Sequence, residues 1–221
     1  MPDLAHSQPV STPNPESTFD ALADALVERG YAVLDNLLGE ALITALRAEF
    51  DHPDCQFKTA GIGREEDHAI ALDIRGDRIC WIEGGSAAAA AFLAAMETLR
   101  LALNRRLFMG LFDYESHLAY YPVGTFYKKH VDAFVGRSNR VLSTVLYLNP
   151  SWAEGDGGEL VLYDEAGAAV VEKLCPEAGR LVVFLSERFP HEVLPARRER
   201  YSVAGWYRVN SNTTGRVDPP A

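Results

Sequence analysis

The chain has 221 residues, a length typical of one domain with a substantial core. Its hydrophobic content of 48% is ordinary for a globular protein. The formal net charge of -10 argues against non-specific binding to nucleic acid, because the phosphate backbone would be repelled.

The first half of the chain favours helices. Apolar residues recur at helical spacing after Ser17 and Thr18, either of which can serve as the N-cap, and Gly30 is a typical helix stop. The predicted elements are a helix over residues 18–29, a strand over 31–34, a helix over 40–50, a strand over 78–83 and a helix over 87–108. The alanine-rich start of the last helix is too short for a membrane span, and Glu97 and Arg100 follow it, so no membrane partner is expected.

The second half favours strands separated by turn residues. The predicted strands span residues 116–121, 125–132, 141–148, 159–163, 168–172, 180–184, 191–193 and 200–209. Helices followed by many short strands predict an α+β fold, with a double-stranded β-helix (jelly roll) core and N-terminal supporting helices. This single domain is expected over residues 18–210, between a disordered tail at 1–17 and a loose C-terminal tail at 211–221.

The cysteines and the N-terminus bear on localisation. Cys55, Cys80 and Cys175 form an odd, sparse set, which is not typical of a disulfide framework and suits a reducing compartment. The first 17 residues contain Pro, Ser and Asn but no apolar core of a signal peptide. We therefore expect a cytoplasmic protein.

Two histidines and an aspartate form a candidate metal site. His130 and Asp132 are two residues apart in a predicted strand, so both side chains would point to the same side of it. His191 begins a later strand, and distant strands of a barrel or double sheet can face a common interior. Two imidazoles and one carboxylate can hold Fe(II) by one face and leave open positions on the other.

Arg200 adds a second chemical feature. In the predicted strand over residues 200–209, Arg200 would share one side with Ser202, Ala204 and Trp206. An inward guanidinium needs a partner, and a cosubstrate with a distal carboxylate, such as 2-oxoglutarate, would supply one.

Other interpretations of these residues stay open. His-x-Asp alone is a weak metal signal, and a zinc hydrolase can use the same ligand types. Arg200 follows Arg197 and Arg198, and such a cluster is typical of a solvated basic face.

Several segments resemble the 2-oxoglutarate- and Fe(II)-dependent prolyl 4-hydroxylases, in particular the hypoxia-factor branch and its bacterial relatives. They are residues 73–84, with Ile-Arg-Gly-Asp followed by Trp-Ile-Glu; residues 121–132, with Tyr-Pro and His-Val-Asp; residues 147–160, with Tyr-Leu-Asn and Gly-Gly-Glu-Leu; and residues 189–207, with Pro-His-Glu-Val and the arginine strand. The resemblance extends from about residue 30 to residue 207.

The resemblance implies a role for each matching position. It implies His130, Asp132 and His191 as iron ligands, Arg200 and Tyr147 as partners of the distal carboxylate of 2-oxoglutarate, and Leu160 as part of the cosubstrate pocket. It implies that Tyr121, Arg140 and Trp206 line the approach of the substrate proline and that residues 61–73 form a mobile loop over bound peptide. Ala204 stands where vertebrate relatives have threonine, which removes one hydrogen bond to the cosubstrate.

The implied reaction is hydroxylation of C4 of a prolyl residue in a protein or peptide, with release of succinate and CO2. The implied cofactor is Fe(II), with 2-oxoglutarate and O2 as cosubstrates and ascorbate as a stimulant. A translation factor such as elongation factor Tu is one expected substrate. The alternatives are an oxygenase acting on another side chain or a small molecule, and a non-catalytic metal-binding module.

Overall fold

The computed structural model describes residues 15–61, 74–133 and 138–210. Its helices and strands are α1 (Pro15–Glu28), β1 (Tyr31–Asp35), α2 (Glu40–Ala48), β2 (Lys58–Thr59), β3 (Arg78–Trp81), α3 (Ala87–Leu107), β4 (Leu111–Tyr121), β5 (Tyr127–His130), β6 (Arg140–Tyr147), β7 (Leu160–Tyr163), β8 (Val170–Leu174), β9 (Arg180–Leu185), β10 (His191–Val193) and β11 (Arg200–Val209). The C-terminal tail, most of the N-terminal tail and nearly all of the loop predicted at residues 61–73 lie outside the described residues.

Two antiparallel sheets form the core of the protein. In the described ranges of the chain, the larger sheet has seven strands in the order β1-β9-β6-β11-β4-β3-β2, and the smaller has four in the order β5-β10-β7-β8. Several neighbouring strands, such as β1 with β9, β6 with β11 and β5 with β10, are far apart in the sequence, as in a jelly roll. The predicted fold class is therefore confirmed.

The larger sheet separates two hydrophobic clusters. On its outer face Leu118, Leu146 and Val203 pack with side chains of the three helices, among them Leu22 and Leu46. Its inner face faces the smaller sheet, and the cluster between them contains Tyr31, Tyr147, Leu160, Leu162, Leu174, Val182, Phe184 and Phe189. The alternation predicted for β11 is confirmed, because Val203 and Tyr207 join the outer cluster.

Helix α3 supplies much of the outer cluster. Ser86 caps it, since its hydroxyl accepts a hydrogen bond from the backbone N–H of Ala89 at 3.0 Å. By length and composition alone this helix is apolar enough to cross a membrane. Its buried residues Phe92, Met96 and Leu99 nevertheless pack against the other helices and the larger sheet.

Several expectations about local structure are wrong. Helix α1 begins at Pro15, inside the predicted tail, and β4 begins at Leu111, before the predicted start at residue 116. Strand β2 was not predicted. The sequence predicts no disulfide framework, but Cys55 and Cys80 are paired as a disulfide with their Cα atoms 5.9 Å apart, and Cys175 is free. The pairing of β2 with β3 brings the two cysteines together.

Candidate active site between the two sheets

The three predicted metal ligands come together at one edge of the smaller sheet. His130 ends β5 and His191 begins β10, and the two residues lie opposite each other in the antiparallel pair. Asp132 lies beyond the end of β5, so the prediction that one strand presents both His130 and Asp132 is wrong. The chain turns after His130 and still brings the carboxylate to the histidines. The ligand atoms of all three residues lie within 4.8 Å of one another.

Hydrogen bonds orient each ligand. Nδ1 of His130 lies 2.9 Å from the Lys128 carbonyl oxygen, and Nδ1 of His191 lies 2.9 Å from that of Phe189. Each Nδ1–H donates to its carbonyl, which leaves both Nε2 atoms, 3.6 Å from Asp132 carboxylate oxygens, to face a metal ion. Such backbone bonds fix the tautomer that a metal ligand requires.

The protonation states also suit a metal site. Burial lowers the pKa of His191 to about 4, so its imidazole is neutral at pH 7 and has a free lone pair. Burial would raise the pKa of Asp132, but the neighbouring histidines and a hydrogen bond from Ser143 outweigh it and hold this pKa well below its usual range. The hydroxyl of Ser143 donates to Asp132 Oδ2 at 2.6 Å. A carboxylate beside two imidazole rings is the donor set that Fe(II) accepts.

Arg200 lies deep between the sheets and is only 1% exposed. Its Nε donates to the carbonyl oxygen of Gly158 at 2.8 Å, and its Nη1 donates to the hydroxyl of Ser202 at 3.2 Å. Gly158 is required here, because its φ is +68° and a Cβ would lie 3.1 Å from Arg200 Cδ. No carboxylate of the described residues pairs with this guanidinium, and a buried charge of this kind calls for an anionic ligand.

Tyr147 supports the same conclusion. Its side chain is fully buried, its ring centroid lies 5.1 Å from Arg200 Cζ, and its hydroxyl has no hydrogen-bond partner among the described residues. A buried hydroxyl without a partner is costly, so a second donor beside Arg200 indicates a place for a carboxylate. The buried polar groups therefore fit 2-oxoglutarate, and the metal ligands fit Fe(II).

The remaining predicted site residues line the same cavity of about 600 Å³, at two ends. Tyr121 lies opposite Arg200 in the pairing of β4 with β11, with its ring 4.8 Å from the guanidinium carbon, and Leu160 is buried at the start of β7. Arg140 and Trp206 lie towards the other end of β11. Tyr121 thus lies with the predicted cosubstrate residues, away from the other two residues predicted to receive substrate.

Arg140 and Trp206 form a fixed surface at their end of the cavity. The Arg140 guanidinium carbon lies 3.7 Å from the Trp206 ring centroid. Nε and Nη2 of Arg140 both donate to one carboxylate oxygen of Glu115, at 2.9 and 2.7 Å. The indole N–H of Trp206 is buried and has no partner in the described part of the chain. A flat aromatic ring with a free donor suits a prolyl ring and a neighbouring peptide carbonyl.

Two buried residues near the metal ligands and the cavity were missed by sequence reasoning. Ser143 has no motif around it, and only its register on β6 brings it to Asp132. His117, which is 2% exposed, lies between Trp81 and Trp206, with ring centroids 5.2 and 5.5 Å away. The alternation of residues along β4 could have placed His117 on the cavity side, because it is an even number of residues from Tyr121.

Comparisons with known proteins identify the class. The family model that describes the 2OG-Fe(II) oxygenase superfamily matches residues 116–208. The chain is 44% identical to a *Pseudomonas putida* prolyl-4-hydroxylase of known crystal structure, with a TM-score of 0.77 over 86% of this chain and 99% of that one. A *Trichoplax adhaerens* prolyl hydroxylase, solved with a peptide of the hypoxia inducible factor oxygen degradation domain, has a TM-score of 0.76 and 29% identity over 88% of this chain and 90% of that one.

Relatives found by sequence comparison are also prolyl hydroxylases. Human prolyl hydroxylase EGLN3 is 32% identical over 86% of this chain and 82% of its own length. The hypoxia-inducible factor prolyl hydroxylase of *Caenorhabditis elegans* is 35% identical over 85% of this chain, which spans only 28% of that relative.

Fold, metal ligands and buried guanidinium together define a 2-oxoglutarate- and Fe(II)-dependent oxygenase. Enzymes of this superfamily need Fe(II), 2-oxoglutarate and O2. Within it, the chain belongs to the prolyl hydroxylase family that includes EGLN3 and the *Pseudomonas putida* enzyme.

Proposed function

We propose that this protein hydroxylates C4 of a prolyl residue in a protein or peptide substrate. The observation that carries the proposal is the arrangement of the cavity. Its walls include the three metal ligands. The buried Arg200 lies at one end, with the Tyr147 ring packed beside it, and Arg140 with Trp206 lies towards the other end. The peptide bound to the *Trichoplax adhaerens* relative supports a peptide substrate.

The protein residues position the reactants. His130, Asp132 and His191 would hold Fe(II), which with 2-oxoglutarate and O2 supplies the oxidation that places one oxygen atom on the substrate and the other in succinate, with loss of CO2. Arg200 and Tyr147 would bind the distal carboxylate of 2-oxoglutarate and so set how far it reaches towards the metal ligands. Arg200 and Tyr147 are buried, so bulk water is kept away from the carboxylate that they would bind.

Trp206 and Arg140 would place the prolyl ring. Glu115 holds the Arg140 guanidinium over the Trp206 ring, so the aromatic surface is fixed before substrate arrives. A preorganised surface loses less conformational entropy on binding than a mobile one. Elongation factor Tu is the first protein substrate that we propose to test, as the resemblance to bacterial relatives implies.

The test combines two products. The protein is incubated with Fe(II), 2-oxoglutarate, ascorbate and O2, with elongation factor Tu or a panel of proline-containing peptides. Succinate is quantified, and mass spectrometry locates any added oxygen atom. Hydroxyproline formed in step with succinate is the expected result, and Asp132→Ala is the inactive control.

The other outcomes separate the alternatives. An oxygen atom on a different side chain would keep the oxygenase and reject the prolyl assignment. Succinate without a modified peptide would reject the tested substrates. Absence of succinate from protein that demonstrably binds iron and 2-oxoglutarate would reject the enzymatic proposal and favour a non-catalytic metal-binding module.

A further inference from the structure

The strand that carries His130 lies at the edge of its sheet. Among the described strands, β5 is the outermost strand of the smaller sheet, and its inner neighbour is the three-residue β10. Its outer edge is covered by residues 74–76. The N–H of Gly76 donates to the Phe126 carbonyl at 3.0 Å, and the N–H of Lys128 donates to the Ile74 carbonyl at 2.9 Å. These residues lie in the Ile-Arg-Gly-Asp segment, to which neither the metal site nor the cosubstrate site assigns a role.

Arg75 lies at the centre of this segment and is held on two sides. Its Nε and Nη2 donate to the two carboxylate oxygens of Asp77 at 2.6 and 2.8 Å, and its Nη1 donates to the Gly61 carbonyl at 3.3 Å. The Asp77 side chain is fully buried. A bidentate, buried pair of this kind fixes the plane of a guanidinium.

The fixed guanidinium lies against Tyr127, and Tyr127 lies against His130. Arg75 Cζ is 4.6 Å from the Tyr127 ring centroid. The Tyr127 ring stacks on the His130 ring, with centroids 3.6 Å apart and planes within 16° of parallel. Asp77, Arg75, Tyr127 and His130 therefore form one continuous set of contacts that ends at a metal ligand.

The two histidine ligands differ in how much other support they have. The side chain of His191 is 7% exposed, and its ring makes a T-shaped contact with Phe184 in the core between the sheets, with centroids 4.9 Å apart. The side chain of His130 is 20% exposed, and it stacks on Tyr127 at the sheet edge. His130 thus depends on a neighbour that itself needs to be fixed.

We infer that Arg75 is a positioning residue, which holds the His130 ring in its metal-binding orientation through Tyr127. The inference rests on the metal site of the proposed function. Arg75 has no part in binding 2-oxoglutarate in this assignment, so its effect is expected on metal affinity itself.

The first experiment measures metal binding without turnover. Metal-free protein is titrated with Co(II) in the absence of O2 and 2-oxoglutarate, and binding is followed by the visible absorption of the Co(II) complex. Arg75→Gln is expected to weaken Co(II) binding by about 10- to 100-fold, as is typical when a residue that orients a ligand is lost. Arg75→Lys keeps the charge but loses the planar fork, so its Kd is expected to lie between those of the parent and Arg75→Gln.

Arg78→Gln is the matched control. Arg78 is an exposed arginine of the adjoining strand β3, and its guanidinium donates to the Phe57 carbonyl at 3.3 Å, away from Tyr127. Its Co(II) affinity is expected to stay that of the parent. A folded Arg75→Gln protein, judged by circular dichroism and thermal melting, that binds Co(II) as tightly as the parent would overturn the inference.

A double-mutant cycle tests the route through the tyrosine. Tyr127→Leu leaves the Arg75–Asp77 pair intact but removes the stacked ring, so it is expected to lose Co(II) affinity to the same extent. Adding Arg75→Gln to Tyr127→Leu is then expected to cause no further loss. Losses that multiply would show that Arg75 acts by another route and would refute the inference.

Tyr127→Leu also serves if Arg75→Gln does not fold, because unchanged Co(II) affinity in that variant is sufficient to reject the route. These measurements use the metal alone. Failure to find hydroxyproline would therefore leave this inference standing, and unchanged metal affinity would leave the proposed reaction standing.

Discussion

Replacing Arg200 with methionine gives the sharpest test of the cosubstrate site. The substitution keeps an unbranched side chain in a buried position but removes the guanidinium that would bind the distal carboxylate of 2-oxoglutarate. A hydrogen bond to a charged group contributes about 1.5–3 kcal/mol, so loss of a two-point contact costs at least about 3 kcal/mol. That loss raises the Kd of 2-oxoglutarate by about a hundredfold or more, since 1.4 kcal/mol is about tenfold.

Thermal unfolding converts this loss into a shift of the melting temperature. With Fe(II) present under anaerobic conditions, 2-oxoglutarate at 100 times the Kd of the parent stabilises the parent by about 2.7 kcal/mol. The same concentration equals the Kd of a variant that binds about a hundredfold more weakly, and stabilises that variant by only about 0.4 kcal/mol. In a domain of this size 1 kcal/mol corresponds to about 2–4 °C. At the same concentration of 2-oxoglutarate, the melting temperature is therefore expected to rise by about 5–10 °C for the parent and by about 1 °C for Arg200→Met.

Arg198→Met is the matched control. Arg198 is a near neighbour in sequence, but it is exposed and its Nη1 contacts the Ser151 carbonyl and Asp156 at 3.2 and 3.3 Å. Its own melting temperature can change, yet the gain on adding 2-oxoglutarate is expected to match that of the parent. If Arg200→Met retained the full gain, the buried guanidinium would not be the carboxylate site.

Three further predictions concern single side chains. Tyr147→Phe removes a buried hydroxyl that has no partner among the described residues. A hydrogen bond to a carboxylate contributes about 1.5–3 kcal/mol, so the Kd of 2-oxoglutarate, measured by anaerobic calorimetry, is expected to rise by about 10- to 150-fold; an unchanged Kd would contradict the assignment. Asp132→Ala is expected to abolish succinate formation and weaken metal binding, and retained turnover would disprove the triad. Burial, with a smaller effect of Arg75, lowers the pKa of His117 from 6.5 to about 4 in the folded protein. Between these two pH values the unfolded chain binds a proton that the folded protein does not, so the free energy of unfolding decreases as the pH falls through this range. The free energy of unfolding in urea is expected to fall by about 2 kcal/mol more in the parent than in His117→Leu between pH 7 and pH 5. His191 is present in both proteins, so its contribution cancels in the comparison; equal decreases would be the contrary result.

The parts of the site that follow a strand period could be predicted. Arg200, Ser202 and Trp206 line the cavity because they alternate along β11, and this alternation is visible in the residue types. The ligand set was predictable for a different reason. His130 and His191 are the residue types that Fe(II) needs, and only a return of the chain could bring them together.

The rest depends on contacts that no local pattern specifies. Asp132 was placed on the wrong element, because β5 ends where its pairing with the short β10 ends. The pairing of Cys55 with Cys80 depends on how β2 meets β3, and an odd number of cysteines argued against it. The support that Arg75 gives to Tyr127 likewise arises from a bridge between distant segments. Cytoplasmic localisation and stimulation by ascorbate stay predictions.

The hydrophobic cluster between the sheets has a consequence for the choice of keto acid. The larger sheet carries Arg200 and Tyr147, the smaller one carries His130 and His191, and Leu162, Val182 and Phe184 fill the space between the layers. This packing holds the two sheets at a fixed separation, and so it sets the span between the buried Arg200 guanidinium and the metal ligands. One methylene group changes the binding free energy of a keto diacid by about 1–3 kcal/mol. Selection between keto diacids of different length thus depends on core residues that contact neither end of the ligand.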